Sequence, residues 1–159
     1  MNVASINSND ELKDLYRELI LDHSRNPRNF GKLPDATHSA EGINPLCGDK
    51  LRLYLQLNDQ DIVVAARFEG TGCAISVASA SLLTEAVTGQ PKEVALGLFK
   101  AVTSRLASDK PVSTPGIELG KMRALDGVRE FPARVKCATL AWHALHSAIE
   151  AHATPASTE

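Results

Sequence analysis

The sequence has no excess of charge of either sign. Its 17 lysines and arginines face 19 acidic residues, giving a formal net charge of −2 and a pI near 6.2. That balance leaves no electrostatic footprint for nucleic acid or an anionic membrane surface. No apolar run exceeds six residues, which excludes a transmembrane helix. The opening stretch, MNVASINSND, has no basic segment leading into an apolar one, so no secretory signal is expected. Only three cysteines are present, and an odd number makes a poor disulfide framework. They suit a reducing cytoplasm, where thiols stay available for metal or chemistry. No CxxC pair occurs, and the cysteines are spaced by 26 and 64 residues, so no generic zinc pattern applies. Internal repeats and domain-splitting linkers are absent as well.

What is present describes an ordinary globular chain of 159 residues, 43% hydrophobic and 23% charged, long enough for a real core. We expect one domain over residues 1–159, with a core from about 8 to 151 and a flexible tail from 152 to 159. Ser8 and Glu11 stand at capping-box spacing, and Leu12, Leu15, Leu19 and Ile20 recur at helical period until Pro27 and Gly31 close the segment. Leu51, Leu53, Leu55 and Leu57 alternate strictly, as do Ile62, Val64, Ala66 and Phe68. NDQD joins the two runs, which predicts a hairpin with one buried face. A weaker strand is expected around Thr37 to Ile43. After Phe68 the period changes. GTGCAISVASASLLTEAVTGQP predicts a helix of small residues, its run Ala78 to Ser81 packing against the sheet. Val94, Leu98, Val102 and Leu106 mark a second helix, and a short one is expected near Lys121 to Leu125. Pro132 opens a last helix with Cys137, Ala141, Ala144 and Ala148 on one stripe. The fold class is α+β: a small antiparallel sheet of about three strands packed against helices.

The thiols stand at element boundaries. Gly48 can adopt an unusual backbone angle that lets Cys47 and Asp49 converge on one point. Cys73 follows GTG and opens a helix, whose dipole and free N–H groups favour thiolate over thiol. Cys137 falls in the second turn of the last helix, near Arg134 and Lys136. Nucleophile, metal ligand, redox thiol and small buried hydrophobe all remain open for a single cysteine, and an aspartate after glycine is as readily a turn residue. Three thiols and one carboxylate would make a four-ligand set for a thiophilic metal. The histidines fit such a set poorly. His143 lies about 240° round the helix from Cys137, His146 and His152 read as solvated, and His38 reads as a surface residue. His23 closes the first helix, where a cation suits the dipole. Trp142 and Phe99 read as core. No histidine is placed to make a cysteine hydrolase, and the glycine-threonine pieces are too short for a phosphate loop.

Four stretches, NPLCGDKLRL, FEGTGCAISVASASLLTEAV, GVREFPARVKCATLAWHAL and the opening LYRELILDHSRNPRNFG, together resemble the iron–sulfur assembly family that includes IscU and NifU. The likeness runs over about residues 11–150, and the SufU branch is the most similar. IscU-type members carry a histidine immediately before the third cysteine, where this chain has Lys136, and a shorter segment between the second and third cysteines. The resemblance implies a SufU/IscU-like fold and one metal site formed by Cys47, Asp49, Cys73 and Cys137. It implies Zn²⁺ there, or alternatively iron or a [2Fe–2S] cluster. Asp49, a harder and more weakly zinc-binding donor than a thiolate, would be the ligand able to yield. Arg134 and Lys136 would soften a formal charge of about −2 on a site of three thiolates, a carboxylate and Zn²⁺, or meet a partner. By the same resemblance Cys47 takes sulfur from a PLP-dependent cysteine desulfurase of the SufS kind and passes it to downstream iron–sulfur assembly proteins. The implied activity is a cytoplasmic zinc-dependent sulfurtransferase, with no nucleic acid and no membrane involved. An assembly scaffold with the same ligands, or a structural zinc module that docks partners, are the alternatives.

Overall fold

The strict alternation of leucines builds the centre of the molecule. In the computed structural model, which describes residues 3–108, 116–150 and 156–157, Leu51, Leu53, Leu55 and Leu57 all point inward from β2 (Asp49–Leu57) with at most 9% exposure. β1 (His38–Asn44) and β3 (Val63–Thr71) flank β2, both antiparallel to it. This is the three-stranded sheet expected. Its outward side is polar, with Glu41 between Lys50 and Arg52.

The alternation predicted for β3 holds only in part. Ala66 and Phe68 are buried, but so is Val63, whereas Val64 is 45% exposed. The register shifts between Gln56 and Leu57, where a β-bulge opposes Ala65 to Gln56 and Val63 to Leu57. The extra residue turns Val64 outward, reversing the face of everything before it.

Helices cover the inner face. α1 (Val3–Arg25) precedes the sheet, and α2 (Ala74–Val87), α3 (Lys92–Ala107), a 3₁₀ segment (Gly120–Val128) and α4 (Pro132–Glu150) follow it. The short helix expected at 121–125 is this 3₁₀ segment. Residues 109–115 of the preceding loop lie outside the described residues. α4 lies across β1, where Gly42 permits close approach: a β-carbon there would stand 3.2 Å from the Leu140 side chain. α2 packs on α1, α4 and β3, so its small residues serve helix–helix contacts as much as the sheet. Ser79 donates to the Ala138 carbonyl at 2.5 Å and accepts from the indole N–H of Trp142 at 3.1 Å. Trp142 is fully buried, as expected, and Phe99 packs against the core. Among the described residues no helix is long and apolar enough to cross a membrane.

Two expectations about α1 need correction. α1 begins at Val3, so Ser8 and Glu11 lie within it instead of capping it. Leu19 and Ile20 of its apolar stripe pack against the core, while Leu12 and Leu15 stay 45% and 61% exposed. His23 does stand in the last turn of α1, but burial disfavours the cation expected there. It is 1% exposed, with Nδ1 2.6 Å from the Ser81 hydroxyl. Of the tail, Ala156–Ser157 forms a short strand, β4, parallel to β1 at Gly42 and Ile43, and the rest lies outside the described residues.

Burial lowers the pKa of His23 below its ordinary 6.5, and nearby Arg28 pushes the same way. The unfolded chain therefore binds the proton more readily than the folded one. Stability is expected to be fully present above about pH 6.5 and to fall as the pH drops towards the folded-state pKa. Urea midpoints at pH 7.5 and 5.5 check this: the wild type should lose more over that interval than His23→Gln.

Candidate metal centre

The turn between β1 and β2 sets the first part of the site. Asn44 and Asp49 are paired across the hairpin, and the N–H groups of Cys47 and Gly48 both donate to the Asn44 carbonyl, at 3.2 and 2.9 Å. Gly48 has φ +72°, a left-handed angle that suits glycine. Cys47 therefore stands at the tip of a tight turn, exposed. Asp49 begins β2 and shares the inward face of Leu51 and Leu53, so the same period that builds the core turns its carboxylate inside, to 2% exposure.

A buried carboxylate needs partners. Asp49 finds them at the start of α2. The Cys73 N–H donates to Oδ1 at 2.9 Å, and the Ser76 hydroxyl donates to Oδ2 at 2.6 Å. Gly72 leaves the necessary room, since a β-carbon there would meet Oδ1 at 3.0 Å. Asp49 is thus more than a turn residue. Cys73 itself is the N-cap of α2, exposed, with Sγ 3.9 Å from Asp49 Oδ2.

Cys137 arrives from α4 and is 3% exposed, with Sγ 3.6 Å from Cys47 Sγ. Burial pushes its thiol pKa well up, and contacts with Asp49, Cys73 and Cys47 add to the effect. The Asn44 amide nitrogen reaches its sulfur at 3.7 Å, while the buried Asn44 Oδ1 has no hydrogen-bond partner among the described residues.

One ligand atom each from Cys47, Asp49 and Cys137 lies within 4.8 Å of the others, the one such group found among the described residues. The donor set fits a thiophilic divalent ion. Zn–S bonds of about 2.3 Å put tetrahedral sulfurs about 3.8 Å apart, close to the 3.6 Å between Cys47 and Cys137. Cys73 stands just outside this tight group and joins it through Asp49. The described histidines do not enter it. His143 and His146 pack on Phe99, with ring centroids 5.4 and 4.7 Å away, and His38 bonds Thr37. His152 lies outside the described residues. Leu46, 67% exposed, and Phe131, 52% exposed, adjoin the ligand-bearing segments, and Arg134 lies 5.5 Å from the Phe131 ring. A cavity of about 570 Å³ between α2, α3 and residues 116–122 is lined by none of the thiols.

Asn44 and Ser76 were not foreseen from the sequence. The signals were there: Asn44 is the cross-strand partner of Asp49, and Ser76 sits three positions after Cys73 on one helical face.

The sequence model of the NifU-like N-terminal domain family matches residues 15–138. The chain belongs to this family. It is 46% identical over 141 residues to the zinc-dependent sulfurtransferase SufU of Bacillus subtilis (strain 168), covering 89% of this chain and 93% of that protein. It is 39% identical over 140 residues to the iron–sulfur cluster assembly scaffold protein IscU of Streptococcus pyogenes serotype M1, covering 88% and 86%. In structure it is similar to an iron–sulfur cluster assembly scaffold protein for the SUF system from Fervidobacterium islandicum AW-1. There the TM-score is 0.74 at 32% identity, covering 83% of this chain and 94% of that one. The SufU/IscU-like α+β fold expected from the motifs is the fold observed.

Proposed function

We propose that the chain acts as one domain, in the cytoplasm, as a zinc-dependent sulfur acceptor in iron–sulfur cluster assembly. It takes persulfide sulfur from a PLP-dependent cysteine desulfurase onto Cys47 and hands it to downstream assembly proteins. Cys47, Asp49, Cys73 and Cys137 hold the metal. The observation that carries this reading is a contrast within one cluster: Cys47 is exposed at a turn while Cys137 is 3% exposed. A partner can reach the first thiol and not the second. Exposed Leu46 and Phe131 supply apolar surface for such a partner beside the segments bearing these two thiols.

Bound zinc would supply a charge that keeps the thiolates deprotonated at neutral pH. The rest falls to the chain's own groups. The Cys47 thiolate attacks the outer sulfur of the donor persulfide. A new S–S bond forms on Cys47 as the donor's S–S bond breaks, and the donor cysteine leaves as a thiolate, with no net oxidation. The resemblance implied that Asp49 would be the ligand able to yield; because both its oxygens are tied to the start of α2, exposed Cys47 is instead the ligand taken to give way to the donor.

Protein isolated under gentle conditions is expected to hold about one zinc per chain in sulfur-rich tetrahedral coordination. Metal analysis and X-ray absorption check this. Iron in place of zinc would favour the scaffold reading, and mainly nitrogen ligands would defeat the site.

A further inference from the structure

Ser76 lies in the first turn of α2, 1% exposed, and its hydroxyl meets three ligand residues carried by three different elements. Oγ is 2.6 Å from Asp49 Oδ2 on β2, 3.3 Å from the Cys137 carbonyl on α4, and 3.6 Å from Cys73 Sγ at the start of α2. A hydroxyl has one proton to give. The shortest contact takes it, so Asp49 Oδ2 is the acceptor and the Cys137 carbonyl a longer, secondary one.

We propose that Ser76 is a positioning residue of the metal site, fixing the plane of the Asp49 carboxylate so that it faces Cys47 and Cys137. The inference rests on the metal site proposed above. An aspartate carboxylate can turn about two side-chain bonds, and one tether leaves one of those rotations free. The Cys73 N–H holds Oδ1 and the Ser76 hydroxyl holds Oδ2, so two tethers fix both. Each oxygen keeps lone-pair capacity for an ion. Gly72 completes the holder from the side, since a β-carbon there would stand 3.0 Å from Oδ1 and 3.1 Å from the Ser76 β-carbon. The helix does not need the hydroxyl, because alanine is the better helix former. Partners of this kind, which orient a ligand without touching the ion, typically contribute 10–100-fold to metal affinity.

The test is zinc affinity of the full chain, by competition with a chromophoric chelator. It is run on wild type, Ser76→Ala, Ser76→Thr, Asp49→Ala and the Ser76→Ala, Asp49→Ala double variant. Ser76→Ala is expected to bind zinc about 10–100-fold more weakly. Ser76→Thr, which keeps the hydroxyl, should recover most of that loss. In the Asp49→Ala background the further change to Ser76→Ala should have no effect, because the residue acts through the carboxylate. X-ray absorption of zinc-loaded Ser76→Ala should show less oxygen coordination than wild type. Wild-type affinity in Ser76→Ala, or an equal loss with and without Asp49, overturns the inference and leaves the metal site standing. Wild type that takes up no zinc overturns both. Should Ser76→Ala fail to fold, Gly72→Ala crowds the same carboxylate with the hydroxyl in place. It too should weaken zinc binding, and unchanged affinity there would again count against a positioned Asp49.

Discussion

Cys47→Ser is expected to reduce sulfur acceptance to background while leaving the protein folded. The cysteine sits exposed at a turn, with its Sγ 3.6 Å from Cys137 Sγ. The hairpin is held by backbone groups, the Cys47 and Gly48 N–H donors on the Asn44 carbonyl, and these are indifferent to the side chain. A serine hydroxyl is not ionised at neutral pH and cannot displace a thiolate from a persulfide, so the chemistry goes with the sulfur. Cys137→Ser should behave differently. It places a hydroxyl at a 3% exposed position beside Cys47 and Asp49, and stability should fall along with metal binding. Single turnovers with desulfurase and free cysteine, followed by peptide mass spectrometry, separate the two roles. In wild type the extra sulfur should appear on Cys47. Its first appearance on Cys137 would move the acceptor role there.

The architecture was legible where one period governed one face. Four leucines at alternate positions of β2 specified a strand, its inward side and, through Asp49, the direction of a ligand. α4 was equally plain, with Pro132 at its start and Cys137 on its buried stripe. The misreadings have local physical causes. A bulge opposite Gln56 and Leu57 inserts one residue, and no period-two pattern records an insertion. Leu12 and Leu15 satisfy helical spacing, yet periodicity states which residues share a face and not whether a neighbour covers it. His23 was read from its place on α1 alone, whereas its environment is set by Ser81, 58 residues away. For the site, no spacing rule joins Cys47 to Cys137 across 90 residues. Family resemblance brought them together, and the turn at Gly48 with the approach of α4 to β1 explains how the chain does so.

Gly70→Ala is expected to be the most damaging small substitution near the site. Gly70 has φ +143° and pairs with Leu51 across the β2–β3 ladder. A β-carbon there would fall 2.2 Å from the Lys50 carbonyl oxygen and 2.6 Å from the Leu51 α-carbon. Both are backbone atoms of the strand at the centre of the sheet, so no flexible side chain can swing aside. Backbone strain of about 1–3 kcal/mol and overpacking of a similar size together predict a loss of about 2–6 kcal/mol. That is a large fraction of the 5–15 kcal/mol of a typical domain. The damage should reach the metal centre as well, because the chain passes from Gly70 directly to Gly72 and the Cys73 N–H that holds Asp49. Forcing β3 away from Lys50 would lengthen that hydrogen bond, and zinc affinity should fall with stability. Gly127→Ala is the matched control: it lies in the 3₁₀ segment, where a β-carbon meets nothing within 4 Å, and its effect should stay within about 0.5 kcal/mol. Urea unfolding of the metal-free proteins, followed by fluorescence of the fully buried Trp142, measures both. A Gly70→Ala midpoint matching that of Gly127→Ala would mean that β2 and β3 can part at this end without loss, and that the close approach of the strands does not hold the site.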